Sequence, residues 1–243
     1  MVKAKQGGSF KPVRLPKPQT TVARCISVIH IGTVANIFNG KLNTEKPKTE
    51  KLWVQWEFPK LMEIFSEEKG EQPWTLGLEL TLSTNENSNL AKLVSNWRNN
   101  PLSAIEEKSF DPMIMLGRTC MISFVHNTKL KYRGQDLTEI TNENSSLKFN
   151  GIMPLPEELT CPAQINPEIT WDWEPYTDGG KEFDQDEYQK MYPWMQKKVA
   201  ESDEFKKYGD PNLFDEDADQ SSEASPEPKA EKEEPIDKGG AGW

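Results

Sequence analysis

A mainly β chain is predicted, and three observations predict it. Apolar side chains alternate with a period of two through the middle of the sequence, β-branched residues concentrate in the same stretches, and one segment alone there carries a clear helical period. The plainest alternating segment is 51–58. Leu52, Val54, Trp56 and Phe58 fall on one side of an extended backbone, and Lys51, Trp53, Gln55 and Glu57 on the other, as a half-buried strand requires. Residues 74–82 repeat the pattern, with Trp74, Leu76, Leu78, Leu80 and Leu82 on the even positions. Residues 22–31 are rich in Val and Ile and stop at Gly32, which makes them a long first strand. Residues 119–126 are apolar on both faces and read as a buried strand; 147–153 form a last one, stopped by Pro154-Leu155-Pro156.

The helix lies between the third and fourth of these strands. Ser88 is a good N-cap, and Leu90, Leu93, Val94 and Trp97 follow at i, i+3, i+4 and i+7. Strand, strand, strand, helix, strand, strand is the order of the OB-fold, a five-stranded, partly open Greek-key barrel. A two-sheet sandwich would need about seven strands, which the sequence does not offer. Segment 61–72, between the second and third strands, carries Glu63, Glu67, Glu68 and Glu71 and is read as an acidic helix or lid.

Four regions follow. Residues 1–20 are a basic, proline-punctuated extended arm. Residues 21–156 are the OB barrel. Residues 157–208 are an aromatic, helical extension with Trp171-Asp172-Trp173 and a pair of short helices broken near Pro193, docking on the barrel or on a partner. Residues 209–243 read as a disordered acidic tail, with too few apolar side chains to offset the entropy of ordering it. It runs through Asp215, Glu216, Asp217 and Asp219, then Glu233, Glu234 and Asp237, to Gly239-Gly240-Ala241-Gly242-Trp243.

Net charge, -10 for the whole chain, at first argues against nucleic acid. Its distribution reverses that inference: residues 1–156 are net +5 and residues 157–243 net -15. No apolar run is long enough to span a bilayer, Met1 to Gly8 lead into no apolar stretch of a secretory signal, and Cys25, Cys120 and Cys161 are too scattered for a disulfide framework. A cytoplasmic protein with no membrane partner is expected.

Reaction chemistry is not expected either. Neither G-x-x-x-x-G-K-[ST] nor G-x-G-x-x-G occurs, there is no nucleophile elbow, and His30 and His126 are the only histidines. No catalytic residue, cofactor or metal is assigned. Cys25 with His30 and Cys120 with His126 are the pairs a zinc ion could use, but the odd offset of the first sends its side chains to opposite strand faces unless a bulge intervenes.

OB barrels bind single-stranded nucleic acid across their second and third strands, flanked by the loops between the first and second and the fourth and fifth strands. Here the first loop carries Lys41, Lys46 and Lys48, with Lys51 at the strand start, and the second carries Lys129, Lys131, Tyr132 and Arg133. Trp53 lies opposite the core set. Lysines neutralise phosphates, and Trp53 and Tyr132 would stack on bases for about 1–3 kcal/mol each. A single loop lysine is more often merely solvated, and Trp53 could be covered by 61–72 or by Trp171-Asp172-Trp173. Arg24, Trp74 and Phe149 are weaker candidates that could equally serve packing. Basic residues on both expected loops favour binding.

A basic barrel followed by an acidic tail ending in an aromatic resembles the bacteriophage-type single-stranded DNA-binding proteins of DNA replication, recombination and repair. Leu116-Gly117-Arg118-Thr119-Cys120, Ile152-Met153-Pro154-Leu155-Pro156 and Tyr192-Pro193-Trp194-Met195-Gln196-Lys197-Lys198 are similar to segments of such phage-encoded proteins, over roughly residues 8–205. The resemblance implies non-enzymatic coating of single strands in a host-cell cytoplasm. Its tail would compete with DNA and, once displaced, offer Trp243 to a polymerase, helicase or recombinase; a homo-oligomer fits as well. The rival readings are an acidic interaction or scaffold module whose barrel binds no DNA, and a single-strand annealing factor.

Overall fold

Every alternating segment becomes a strand in the computed structural model, which describes residues 13–38, 40–127, 131–132, 135–136, 140–142 and 144–214. In chain order these are β1 (Gln19–Ala35), a small hairpin of β2 (Ile37–Phe38) and β3 (Lys41–Leu42), then β4 (Lys48–Ser66) and β5 (Gly70–Thr81). After the helical elements α1 (Asn89–Arg98) and α2 (Glu106–Ser109) come β6 (Thr119–His126), a second small hairpin of β7 (Lys131–Tyr132) and β8 (Gln135–Asp136), β9 (Leu147–Met153) and β10 (Ile169–Trp171). Ser88 caps α1 as read, its hydroxyl accepting from the Ala91 N–H at 3.1 Å, and Asn99 ends it in the left-handed region at φ 54°.

The fold is mainly β, with one six-stranded sheet. Its order is β5-β4-β1-β6-β9, antiparallel at every step, and β10 joins parallel to β1. β1 changes neighbours along its length. Gln19 to Arg24 pair with β6, Arg24 to Ala35 pair with β4, and Ser27 to Ile29 pair with β10 where β6 has left. Register shifts at Cys25/Ser27 and His30/Gly32 allow the bend. The expected barrel does not close: β5 and β9, at the two ends of the order, share no ladder. Leu15, Leu76 and Leu147 line the gap between them instead of backbone hydrogen bonds.

Segment 61–72 is neither helix nor lid. It prolongs β4 and β5 into a hairpin arm, with Met62 opposite Pro73, Glu63 opposite Gln72 and Ile64 opposite Glu71. Gly70, at φ +65°, supplies the turn conformation that a side chain would resist, and Phe65 meets Trp74 edge to face across the arm at 4.8 Å. Glutamates tolerate this arm because its faces are largely solvated, so their density carried no helical information.

Both faces of the central strands are covered. On one, Val54, Trp56, Phe58, Leu76 and Leu80 pack with α1 and with Cys120, Ile122 and Phe124 of β6. On the other, Ile29, Ile31 and Trp53 are covered by the extension, which folds as β10, α3 (Glu174–Thr177), α4 (Gln185–Gln189), α5 (Pro193–Ala200) and α6 (Asp203–Tyr208). The helix pair broken near Pro193 is α4 and α5, and it docks on the sheet. Trp171, Trp173, Tyr176, Tyr188 and Phe205 form its aromatic centre, and the Trp173 indole N–H donates to the Ile31 carbonyl at 3.2 Å. An aromatic side chain buries about 150–250 Å², worth roughly 4–6 kcal/mol, so five of them make the extension integral to the fold.

Residues 13–18 run without helix, as the arm was read, but Val13 and Leu15 are buried and Leu15 donates its N–H to the Ile140 carbonyl at 3.2 Å. Residues 1–12 and 215–243 lie outside the described residues. No helix among the described residues is long and apolar enough to cross a membrane.

Candidate nucleic-acid interface

The connection from β1 to β4 is held in shape by its own side chains. Ile37 pairs with Leu42 and Phe38 with Lys41; the Asn36 amide donates to the Lys46 carbonyl at 2.9 Å, and Asn43 Oδ1 accepts the N–H groups of Glu45 and Lys46. The hairpin and the turn after it keep Lys41 and Lys46 in solvent, where neither forms an ion pair with a described residue. The other two lysines of the set have internal partners. Lys48 pairs with Asp203 at the start of α6, and the Lys51 ammonium lies 3.7 Å from Glu79, whose second oxygen pairs with Lys198 of α5.

The second predicted loop holds the β7–β8 hairpin, with Lys131 opposite Asp136 and Tyr132 opposite Gln135. Lys129 and Arg133 lie outside the described residues, as do Asp215, Glu216, Asp217, Asp219, Glu233, Glu234, Asp237 and Trp243.

Trp53 is not the exposed stacking platform that the alternation suggested. It is 1% exposed, because the extension lies on its face of the sheet. Trp194 meets it edge-on at 5.1 Å, the Lys198 ammonium lies 5.9 Å from its ring, and Gly77 on β5 leaves the space its indole occupies. The neighbouring positions on that face are buried too. Glu57 is fully buried and accepts from the Ile165 N–H (3.0 Å), the Asn166 N–H (2.9 Å) and the Asn166 amide (3.0 Å). The outer face of β4 is therefore roofed, and it offers no open groove for a strand of DNA.

The weaker candidates divide. Arg24 donates to the Gly117 and Pro162 carbonyls at 3.0 and 3.1 Å, and Phe149 stacks on Trp56 at 6.1 Å, so both serve packing. Trp74 lines a cavity of about 260 Å³ at the free edge of β5. The arm contributes Phe65, Lys69 and Gln72 to it, the start of α5 contributes Tyr192 and Trp194, and Gln55, Asn142 and Asn166 add amides. Tyr192 and Trp194 have nearly parallel rings, 7° apart in plane. Of these residues only Trp74 was a candidate from the sequence. Gly77, a glycine inside an alternating strand, was the available signal that something large approaches β5 there.

The cysteines and histidines do not converge. Cys25 and Cys120 are buried and donate to the Ser27 and Ala23 carbonyls; burial pushes the Cys25 thiol up to about 12 and the Cys120 thiol upward as well. His126 Nε2 lies 2.8 Å from the Pro16 carbonyl. His30 sits between two carboxylates, Nε2 2.8 Å from Glu50 and Nδ1 3.3 Å from Asp172. Burial opposes its charge, but the two carboxylates override that cost and raise it to about 9, while each carboxyl is lowered in turn by its bond to His30. No group of three or more His, Cys, Asp or Glu side chains among the described residues is placed to hold a metal ion.

Among the described residues, two features suit a nucleic-acid ligand: exposed cations on the β1–β4 connection, suited to phosphates, and an aromatic slit at the edge of β5, suited to flat hydrogen-bonding groups. No family model, curated protein or solved structure matches this chain.

Proposed function

We propose that the protein is a non-enzymatic single-stranded DNA-binding protein of phage DNA replication, recombination or repair, acting in the host-cell cytoplasm. The observation that carries this reading is the β1–β4 connection, whose β2–β3 hairpin and following turn hold Lys41 and Lys46 in solvent without a carboxylate partner among the described residues. The order of the five long strands supports it. Third, second, first, fourth, fifth, with a helix between the third and fourth, is an OB-type arrangement lacking its closing ladder.

On this reading the strand's phosphates meet the lysines of the β1–β4 connection, beside the roofed face of β4, and the second basic loop adds further cations. Lys41 and Lys46 neutralise phosphates, Lys129, Lys131 and Arg133 extend the track, and the acidic tail competes for it. Once displaced, the tail recruits a polymerase, helicase or recombinase.

Anisotropy titration of labelled oligo-dT, a matched duplex and the corresponding RNA at two salt concentrations tests the proposal. Binding to oligo-dT in preference to duplex, weakening steeply with salt, is the expected result. Strand pairing in the same mixture would identify an annealing factor. No binding at the lower salt would leave the protein-interaction module.

A further inference from the structure

The open seam of the sheet is the least explained feature of the molecule. An edge strand is ordinarily paired, covered or charged, because its free N–H and C=O groups invite another strand. Among the described residues β5 has no neighbouring strand on its outer side, yet residues 74–77 of that edge line a cavity rather than a closed barrel wall. Of about 260 Å³, the cavity lies just under the roughly 300–1,000 Å³ of drug-sized sites, so one nucleoside-sized group fits and a folded partner does not.

Its lining specifies the chemistry further. Trp74, Tyr192 and Trp194 provide aromatic surface, and Gln55 brings a side-chain amide, the group that pairs with the hydrogen-bonding edge of a base, while the Asn166 amide at the same wall is engaged by Glu57. Lys69, from the turn of the arm, is the one cation among the described lining residues. Trp74 is anchored by Phe65, and Trp194 by Trp53, so the rings are held in place before any ligand arrives. An extended peptide would use the backbone edge but has no need of converging aromatics and amides; a base uses both.

We infer that this slit is a nucleobase subsite, in which one unstacked base of a single strand is taken up against Trp74 and Trp194 while its flanking phosphate meets Lys69. The inference rests on the single-strand reading proposed above and adds a place where that strand is gripped by a base rather than by its phosphates.

The experiment compares the wild-type protein with Trp74→Ala, Trp74→Phe and Lys46→Ala in oligo-dT titrations over a salt series. Trp74→Ala should lose roughly 5- to 150-fold in affinity at every salt concentration, the range that stacking of one base supplies, with the salt slope unchanged. Trp74→Phe should recover most of that loss. Lys46→Ala should instead flatten the slope by about 0.7, as loss of one phosphate contact does. In parallel, oligo-dT carrying 5-iododeoxyuridine is photo-crosslinked to the wild-type protein, and the crosslinked peptides should contain Trp74, Tyr192 or Trp194.

Normal binding by Trp74→Ala, or crosslinks confined to the two small hairpins, would overturn the subsite and leave the single-strand reading intact. If Trp74→Ala does not fold, the crosslinks alone decide. If wild-type protein bound no oligonucleotide at low salt, the functional reading would fall and the subsite with it. An extended peptide that quenched the slit tryptophans where oligo-dT did not would make the slit a peptide groove, which contradicts the inference.

Discussion

Trp53 and Gly77 are fitted to one another across the β4–β5 ladder: a Cβ built on Gly77 would lie 1.9 Å from Trp53 Cζ2. The missing side chain on β5 is the space in which the buried indole lies, with Trp194 closing it from the extension. Gly77→Ala should therefore destabilise the protein by about 1–3 kcal/mol, the usual cost of overpacking, through displacement of the indole. Trp53→Ala should cost about 3–5 kcal/mol. The double variant should cost less than the sum, since the clash needs both side chains. Urea unfolding of the four proteins measures the coupling, and strict additivity would contradict the contact.

His30 ties β1 to Glu50 of β4 and to Asp172 of the extension. It binds its proton more firmly folded than unfolded. Its stabilisation is thus complete below the ordinary histidine value of 6.5 and is lost as pH rises through about 9. The two carboxylates behave oppositely, contributing above their ordinary values of 4.5 and 3.8 and losing that share as pH falls below them. Stability should decline by about 2–3 kcal/mol between pH 6.5 and 10 in the wild type. In His30→Gln that decline should largely vanish, as denaturant midpoints across this range will show.

How much of this was legible in the sequence differs by element. β6 and β9 have the predicted bounds, and α1 begins at its predicted cap, because alternation and capping are written in adjacent residues. The outer face of β4 was not legible. Lys51, Gln55 and Glu57 read as solvent-facing beside a lone Trp53, but their partners, Glu79 and Asn166 among them, lie far along the chain. Polar residues buried by remote partners look the same in sequence as polar residues in water. The lysine loops were legible as basic; that Lys48 and Lys51 are engaged internally follows only from the docking of α6 and the pairing of β5.

Glu57 is the sharpest instance of such a partner. Fully buried, it satisfies two backbone N–H groups and one amide of the 165–166 segment. Glu57→Ala should strand those donors and cost roughly 2–3 kcal/mol. Limited proteolysis should show new cleavage near residues 162–168; unchanged protection would mean that other contacts hold this segment.

The charge split leads to a further prediction. Deleting residues 210–243, which carry a large share of the -15 of the final third, should raise affinity for oligo-dT and steepen its salt dependence, because a competing polyanion is gone. Equal affinity of the full and shortened chains would remove autoinhibition by the tail.

The central claim, that the exposed lysines of the β1–β4 connection hold a single strand, is tested most directly by titrating oligo-dT into the wild-type protein and into Lys41→Ala/Lys46→Ala across a salt series. The account predicts salt-sensitive binding by the wild type and a log–log slope lower by about 1.4 in the double variant, two phosphate contacts at 0.7 each. Identical slopes, or no binding by the wild type at low salt, would contradict it.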